Sequence, residues 1–256
     1  MTDERIKAHI QRRFSQAAPS YERWAAAQRQ AARRLVSLLP EQVFDQVLDI
    51  GCGTGFLAEE LFAQGKARCV TGIDLAPDMV AYCRRRWPTQ SFFCADAEFF
   101  EPTHSFDLIL SNFVFQWLAD IPAAMHRYGA CLKNGGMLAL AVPVSGSLRE
   151  LRASSLKAGR RPLRLMAFPA AEELNVAMGG VAGGFFHREL EWITAWFTTP
   201  LEAVRSLKGI GASYGGEDGY TVAEMRRLLK EYGEGFGDPV RGCPVSYRLW
   251  FGVAAK

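Results

Sequence analysis

The stretch "VLDIGCGTG", residues 47–55, constrains this chain more than any other. A short apolar run with the character of a buried strand enters a turn with glycines at 51, 53 and 55. A helical pattern starts at Phe56. Glycine takes dihedrals denied to other residues and lets backbone approach a ligand closely. A strand that runs through such a turn into a helix is the first half of a β-α-β unit, so a parallel neighbour is expected.

The rest of the chain supplies those neighbours. "CVTGID" (69–74), "SFFCAD" (91–96), "FDLILSN" (106–112) and "GMLALAV" (136–142) read as further strands. Phe56–Gln64, Asp78–Arg86 and Ile121–Leu132 have helical spacing between them. Apolar strands alternating with helices argue for a parallel sheet covered on both faces. "EWITAWF" (191–197) and "RLWFGVAA" (248–255) extend it as sixth and seventh strands. Two parts fall outside the alternation. The first forty residues read as two helices broken around "APS" (18–20) and stopped at Pro40. Residues 145–190 hold Arg-rich and Gly-rich stretches without a strand pattern, with "GGVAGG" (179–184) as a flexible turn.

Composition excludes several classes. A chain of 256 residues buries a sizeable core without disulfides or a structural metal. A net charge of +3 is too weak to argue for nucleic acid. The cations are uneven: residues 1–34 hold eight Lys/Arg against three Asp/Glu, and residues 149–164 hold six against one. Such runs are either solvated helix faces or a docking surface for an acidic partner. The six cysteines share no C-x-x-C spacing, and Cys69 and Cys94 fall in runs that read as buried. The charged first thirty residues lack the apolar stretch of a signal peptide. No apolar run reaches the ~18 residues of a membrane span. A reduced, cytoplasmic protein is expected.

The glycine turn has a definite ligand preference. The dinucleotide pattern G-x-G-x-x-G sets a pyrophosphate against a helix N-terminus. Here the spacing is G-x-G-x-G, and Asp49 precedes it. An acid there repels a pyrophosphate and suits an ammonium group. Asp74, nineteen residues after Gly55, ends the second strand, where a carboxylate can accept from both hydroxyls of a ribose. Asp96 ends the third and can accept from an adenine amino group. S-adenosylmethionine carries all three features.

Asp49-x-Gly51-x-Gly53-x-Gly55 followed by Asp74 resembles the class I S-adenosylmethionine-dependent methyltransferases. That resemblance implies an α/β fold: a Rossmann-like, seven-stranded, mostly parallel sheet with helices on both faces. Here it would carry an N-terminal helical cap (1–40) ahead of the methyltransferase domain (41–256), with residues 145–190 as an insertion or lid between strands five and six. Strand four continues as "SNFVFQW" (111–117), without the Pro-Pro run of amino-methylating DNA enzymes, and no metal-ligand cluster appears. "FSQAAPSYERWAAAQRQ" (14–30), "SNFVFQW" and "RSLKGIGA" (205–212) together resemble the malonyl-acyl-carrier-protein O-methyltransferases of bacterial biotin synthesis. The likeness runs over nearly the whole chain and is poorest at 145–190.

The resemblance implies methyl transfer from S-adenosylmethionine, leaving S-adenosylhomocysteine, to the carboxylate of malonyl-acyl-carrier protein or malonyl-CoA. The ester would prime pimeloyl synthesis. No metal, nucleic acid or membrane is involved. Cofactor-binding residues would be Asp49, Gly51, Cys52, Gly53, Gly55, Asp74, Leu75, Met79, Asp96, Ala97 and Asn112. Substrate-side candidates are Tyr21, Gln116, Trp117, Arg205 and Lys208, with no proton-transferring catalytic residue. Tyr21 either hydrogen-bonds a carboxyl group or packs over the sheet, and Trp117 is either core or pocket wall. Other readings are a methyltransferase for another small carboxylic acid, such as trans-aconitate, and a quinone-ring C-methyltransferase.

"RSLKGIGA" is itself a helix end. Thr199 as N-cap, Pro200 and a Glu202 capping box start a helix, and Gly209 is placed to cap its C-terminus. Leu201, Val204 and Leu207 form the expected buried stripe. Arg205 and Lys208 lie roughly 60° apart on its shoulder. There they either grip an anionic substrate or complement the helix dipole and snorkel.

Overall fold

Successive side chains of a strand point to opposite faces, and both faces of this sheet are used. The structure, a computed structural model, describes residues 3–158, 167–181, 184–211 and 221–256. Its strands are β1 (Phe44–Ile50), β2 (Ala67–Asp74), β3 (Ser91–Cys94), β4 (Phe106–Asn112), β5 (Leu132–Pro143), β6 (Phe185–Phe197) and β7 (Cys243–Ala255). They form one sheet in the order 3-2-1-4-5-7-6, with β7 antiparallel to both neighbours and the other pairs parallel.

Helices α1 (Asp3–Ala17), α2 (Tyr21–Trp24) and α3 (Ala26–Ser37) precede the sheet. Next come α4 (Phe56–Ala63), α5 (Pro77–Arg86) and α6 (Ile121–Ala130). Helices α7 (Arg149–Lys157) and α8 (Ala171–Gly179) lie between β5 and β6. Helices α9 (Pro200–Gly209) and α10 (Val222–Phe236) lie between β6 and β7. Val47, Leu108, Leu110, Ala139 and Ala141 share a core with Ala31, Leu35 and Val36 of α3 and Leu57 and Leu61 of α4. Their chain neighbours Leu48, Ile109, Leu138 and Leu140 face the other way, against Met125 of α6 and Leu174 and Met178 of α8. Each Leu or Ile buried this way contributes about 1.5–3 kcal/mol. Strand order reverses between β1 and β4, which opens a crevice at their carboxyl ends.

The chain breaks at Ala18–Ser20, as expected, in one turn of 3-10 helix with Pro19 inside it. A second break at Ala25 separates α2 from α3. Several expectations need correction. β3 stops at Cys94, leaving Asp96 in the following loop. Cys94, at the end of this edge strand, and Cys69 are exposed. β3 pairs with β2 only from Thr71 onward, so nothing covers Cys69 from that side. The buried thiols are Cys52, Cys83 and Cys243.

β6 begins at Phe185, inside the stretch that showed no strand pattern. Its pattern is inverted. Arg34 of α3 pairs with Glu189 and Glu191 at 2.7 and 3.0 Å, while Phe186, Leu190 and Trp192 point outward. Charges turned inward on an edge strand discourage pairing with another sheet. Residues 159–166 of the expected insertion, and residues 182 and 183 of "GGVAGG", lie outside the described residues. Among the described residues no helix is long and apolar enough to cross a membrane.

Candidate functional site

The three glycines of the turn serve different ends. A Cβ at Gly51 would lie 2.2 Å from Val114, and one at Gly55 would lie 2.2 Å from the Trp87 ring, so both sites are closed by packing. Gly53 has φ +53° and open space where its side chain would be. It is therefore the position where a ligand can lie against bare backbone. Asp74 holds this turn directly. One carboxylate oxygen accepts from the Gly53 N–H at 2.9 Å and the other from Ala76 at 2.8 Å. Each oxygen has a further lone pair to offer. Burial pushes the Asp74 carboxyl up, against those two hydrogen bonds.

Asp49 lies beneath the turn, fully buried, and neither of its oxygens has a hydrogen-bond partner among the described residues. Burial first, and the Asp74 carboxylate second, push its pKa up to about 8. A buried unpaired carboxylate is costly. It is satisfied by a cationic group, and an ammonium fits.

A cavity opens at the ends of β1, β2 and β4. Gly51, Gly53, Asp74, Leu75, Met79, Asp96, Ala97 and Asn112 all line it, as do Ile73 and Val114. Helix α1 closes one side with Lys7, Ile10 and Phe14. Lys7 donates to Asp96 at 2.8 Å and to Glu98, and Gln11 donates to the Leu75 carbonyl at 3.0 Å. Asn112 donates to the Gln28 carbonyl at 2.9 Å, tying α3 to the end of β4. The next residue, Phe113, has φ +60°, a conformation bulky residues rarely adopt. This bend sets its ring into the cavity wall.

A second chamber continues from the first. Phe14, Tyr21, Phe113 and Trp117 line both. Beyond them stand Leu148, Phe168, Leu207 and Ile210, with Gln28, Gln116 and Tyr247 as the other polar side chains. Among the described residues no Lys, Arg, Asp or Glu lines this chamber.

Comparison with known proteins gives the family. Residues 47–136 match the family model described as a methyltransferase domain. The malonyl-[acyl-carrier protein] O-methyltransferase of Enterobacter lignolyticus is 32% identical over 244 residues, covering 95% of each chain. That of Salmonella typhimurium is also 32% identical, covering 98% of each. The chain belongs to the malonyl-[acyl-carrier protein] O-methyltransferase family. The fold agrees as well: the YcgJ protein of Bacillus subtilis superposes with a TM-score of 0.61 at 16% identity, over 89% of this chain and 98% of that one.

Within this methyltransferase family member, the expected residues do not all converge. Asp49 sits under the turn rather than in the cavity wall. Cys52 points into a small core with Val80, Cys83 and Phe92. Tyr21, Gln116 and Trp117 reach the chamber, but Arg205 and Lys208 do not: both are exposed on α9. The buried positions of α9 are Ala203, Ser206 and Leu207, and Leu201 points outward. Small residues make the contact. A Cβ at Gly209 would lie 2.3 Å from the Trp24 indole, so α9 is pressed onto the cap helix α2 there. Gly209 is thus the last helical residue, not the cap. The left-handed glycine is Gly211, φ +76°, packed against Phe14. The contribution of "RSLKGIGA" to the chamber is Leu207 and Ile210; Ala212 lies outside the described residues. Leu148, Phe168 and Tyr247 carried no sequence signal for the chamber; Gln28 closes the "FSQAAPSYERWAAAQ" motif and Phe113 lies in "SNFVFQW", but neither is among the expected site residues. Among the described residues no cluster of three or more His, Cys, Asp or Glu is placed to hold a metal ion.

Proposed function

We propose that this chain transfers a methyl group from S-adenosylmethionine to the free carboxylate of a malonyl thioester, on acyl-carrier protein or coenzyme A. The observation that carries the reading is the pair of joined cavities: an acid-lined one at the glycine turn and, beside it, one that is uncharged among the described residues. Asp49 would hold the cofactor's ammonium group and Asp74 its ribose hydroxyls. Leu75, Met79 and Ala97 would flank the adenine, with Asp96 accepting from its amino group. When bound, S-adenosylmethionine supplies a methyl group made electrophilic by a positive sulfur.

The acceptor carboxylate has a reference pKa of about 4, so it is ionised at neutral pH and needs no general base. A carboxylate oxygen lone pair forms the new carbon–oxygen bond. The methyl–sulfur bond would break with its electron pair going to sulfur, and no proton would move. The protein's work is alignment and exclusion of water. The apolar wall of Phe14, Phe113, Trp117, Leu148, Phe168, Leu207 and Ile210 supports that. Two opposite charges disappear in this step, so a dry chamber favours it. The lining, uncharged among the described residues, argues against a tricarboxylate acceptor, whose extra charges would find no cation among them.

Arg205 and Lys208 lie outside the chamber but on the helix that walls it, and neither has a partner among the described residues. They would meet the acidic carrier or the phosphate of its arm. Labelled S-adenosylmethionine offered with malonyl-carrier protein, malonyl-CoA and trans-aconitate tests the reading. Base-labile methyl ester on a malonyl thioester is expected. Its absence from every malonyl thioester defeats the proposal.

A further inference from the structure

Two of the four buried tyrosines among the described residues spend their hydroxyls on the protein itself. Tyr128 donates to the Ala97 carbonyl at 2.7 Å, and Tyr232 donates to the Pro244 carbonyl. Tyr21 and Tyr247 are buried to the same class, 9% and 5% exposed, and their hydroxyls make no hydrogen bond among the described residues. Both line the second chamber. Gln28 is 4% exposed, lines the same chamber, and its side-chain amide is likewise unpartnered among the described residues. These three groups present unpartnered polar atoms to one otherwise largely apolar chamber, where a ligand can pair them; Gln116 of the same lining has a buried side-chain oxygen without a hydrogen-bond partner among the described residues.

Packing does not account for the Tyr247 hydroxyl. Its ring stands edge-on to Phe113, centroids 5.1 Å apart at 81°, a contact that phenylalanine would make equally well. Tyr247 sits on β7 between the buried residues Val245 and Leu249, Tyr21 starts α2, and Gln28 lies on α3. Three elements thus bring three neutral donors to one space. We propose that Tyr247 and Gln28, with Tyr21, receive the acceptor's carboxylate, so that the anion is held by neutral hydrogen-bond donors, no Lys or Arg lining the chamber among the described residues. This rests on the malonyl-thioester reading above and names the groups that make it work.

The chemistry favours such a set. Methylation removes the acceptor's charge, so a strong pair with Arg would be strongest before reaction and would slow the step. Neutral donors orient the carboxylate and let the ester go. Burial keeps both phenols protonated, and therefore donors, at neutral pH. A chamber lined by no cation among the described residues also selects one carboxylate: free malonate, with two, would leave one charge unpaired against that apolar wall.

Steady-state kinetics with malonyl-CoA and malonyl-carrier protein test this in wild type, Tyr247→Phe, Gln28→Leu, Gln28→Glu and Arg205→Ala. Calorimetric S-adenosylhomocysteine binding on each is the control for folding and cofactor site. Tyr247→Phe and Gln28→Leu should raise KM for the malonyl thioester about tenfold, with S-adenosylhomocysteine affinity within about twofold of wild type. Gln28→Glu, which sets an anion in the chamber, should lose acceptor saturation altogether while still binding S-adenosylhomocysteine. If one Gln28 variant fails to fold, Tyr247→Phe and the other still decide. Unchanged KM in Tyr247→Phe and in the folded Gln28 variants overturns the inference. So does a larger rise in Arg205→Ala than in either. A wild type that makes no ester on any malonyl thioester instead overturns the functional reading, and this inference with it.

Discussion

The two cavities are built in opposite ways. Apart from four residues of the cap region, the first draws on one continuous stretch, Gly51 to Leu118, and is lined by Asp74, Asp96, Glu98 and Lys7. The second collects Phe14, Gln28, Gln116, Leu148, Phe168, Leu207 and Tyr247 from α1, α3, the loops after β4 and β5, the segment ahead of α8, α9 and β7, and carries no full charge among the described residues. A cavity that binds a charged, constant ligand can rest on one local motif. One that must align a small acceptor and keep it dry needs walls from many directions. The difference predicts that substitutions in the first cavity change cofactor affinity, while those in the second change acceptor kinetics.

The largest effect is expected at Asp49. Asp49→Asn leaves a buried ammonium without its counter-charge. It should weaken S-adenosylmethionine and S-adenosylhomocysteine binding by about 3 kcal/mol, more than a hundredfold. Above pH 8, where the folded Asp49 is ionised, the same change should raise the melting temperature of the ligand-free protein, because it removes an unpaired buried carboxylate. Calorimetric affinity near wild type would break the assignment of Asp49 to the cofactor.

Acidity probes the same group without mutation. The folded Asp49 pKa is raised to about 8, from an unfolded value near 4. The folded state therefore holds the extra proton between those values. Its stabilising contribution is full below about pH 4 and is lost as pH rises through 8. Ligand-free stability from this group should decline over that window, with Asp74, also raised, acting in the same direction. Cofactor affinity should do the reverse and rise by up to about tenfold per pH unit below pH 8, with proton release on binding. Calorimetry in two buffers of different ionisation enthalpy reads that proton. Affinity independent of pH from 6 to 8 would contradict the coupling.

Gly209→Ala tests the other region. Its new Cβ must displace the Trp24 indole, 2.3 Å away. It should cost about 1–3 kcal/mol of stability and raise KM for the acceptor more than it changes cofactor affinity. Equal losses of both would blur the division. The smallest effect is expected from Arg205→Ala and Lys208→Ala. With a carrier-borne acceptor, KM should rise severalfold at low salt and return toward wild type at high ionic strength. A salt-independent loss of kcat would place these cations in the chemistry instead.

This contrast also governs what could be read from the sequence. The strand, the turn, the acids at 49, 74 and 96 and the order of elements are local, so pattern and spacing found them. The chamber is a product of tertiary packing. Tyr247 lies in the front part of β7, ahead of the run read as a strand, and looks like any core aromatic. Phe113 turns inward through a backbone bend that no pattern announces. The orientation of α9 was misjudged because its contact face is made of Ala203, Ser206 and Gly209, which a search for apolar spacing passes over in favour of Leu201. β6 lost six residues for a similar reason: its inward side chains are His187, Glu189 and Glu191, which pair there instead of facing water.

Phe14, Tyr21, Phe113 and Trp117 belong to both cavities, so neither can be filled without the other registering it. Whatever factor the cofactor applies to acceptor affinity by shifting those four side chains, the acceptor must apply in return to the cofactor. A change at any of the four will show in the binding of both partners at once. With the cofactor and acceptor placed as proposed, the two substrates would meet first through a common wall, before any atom of one touches the other.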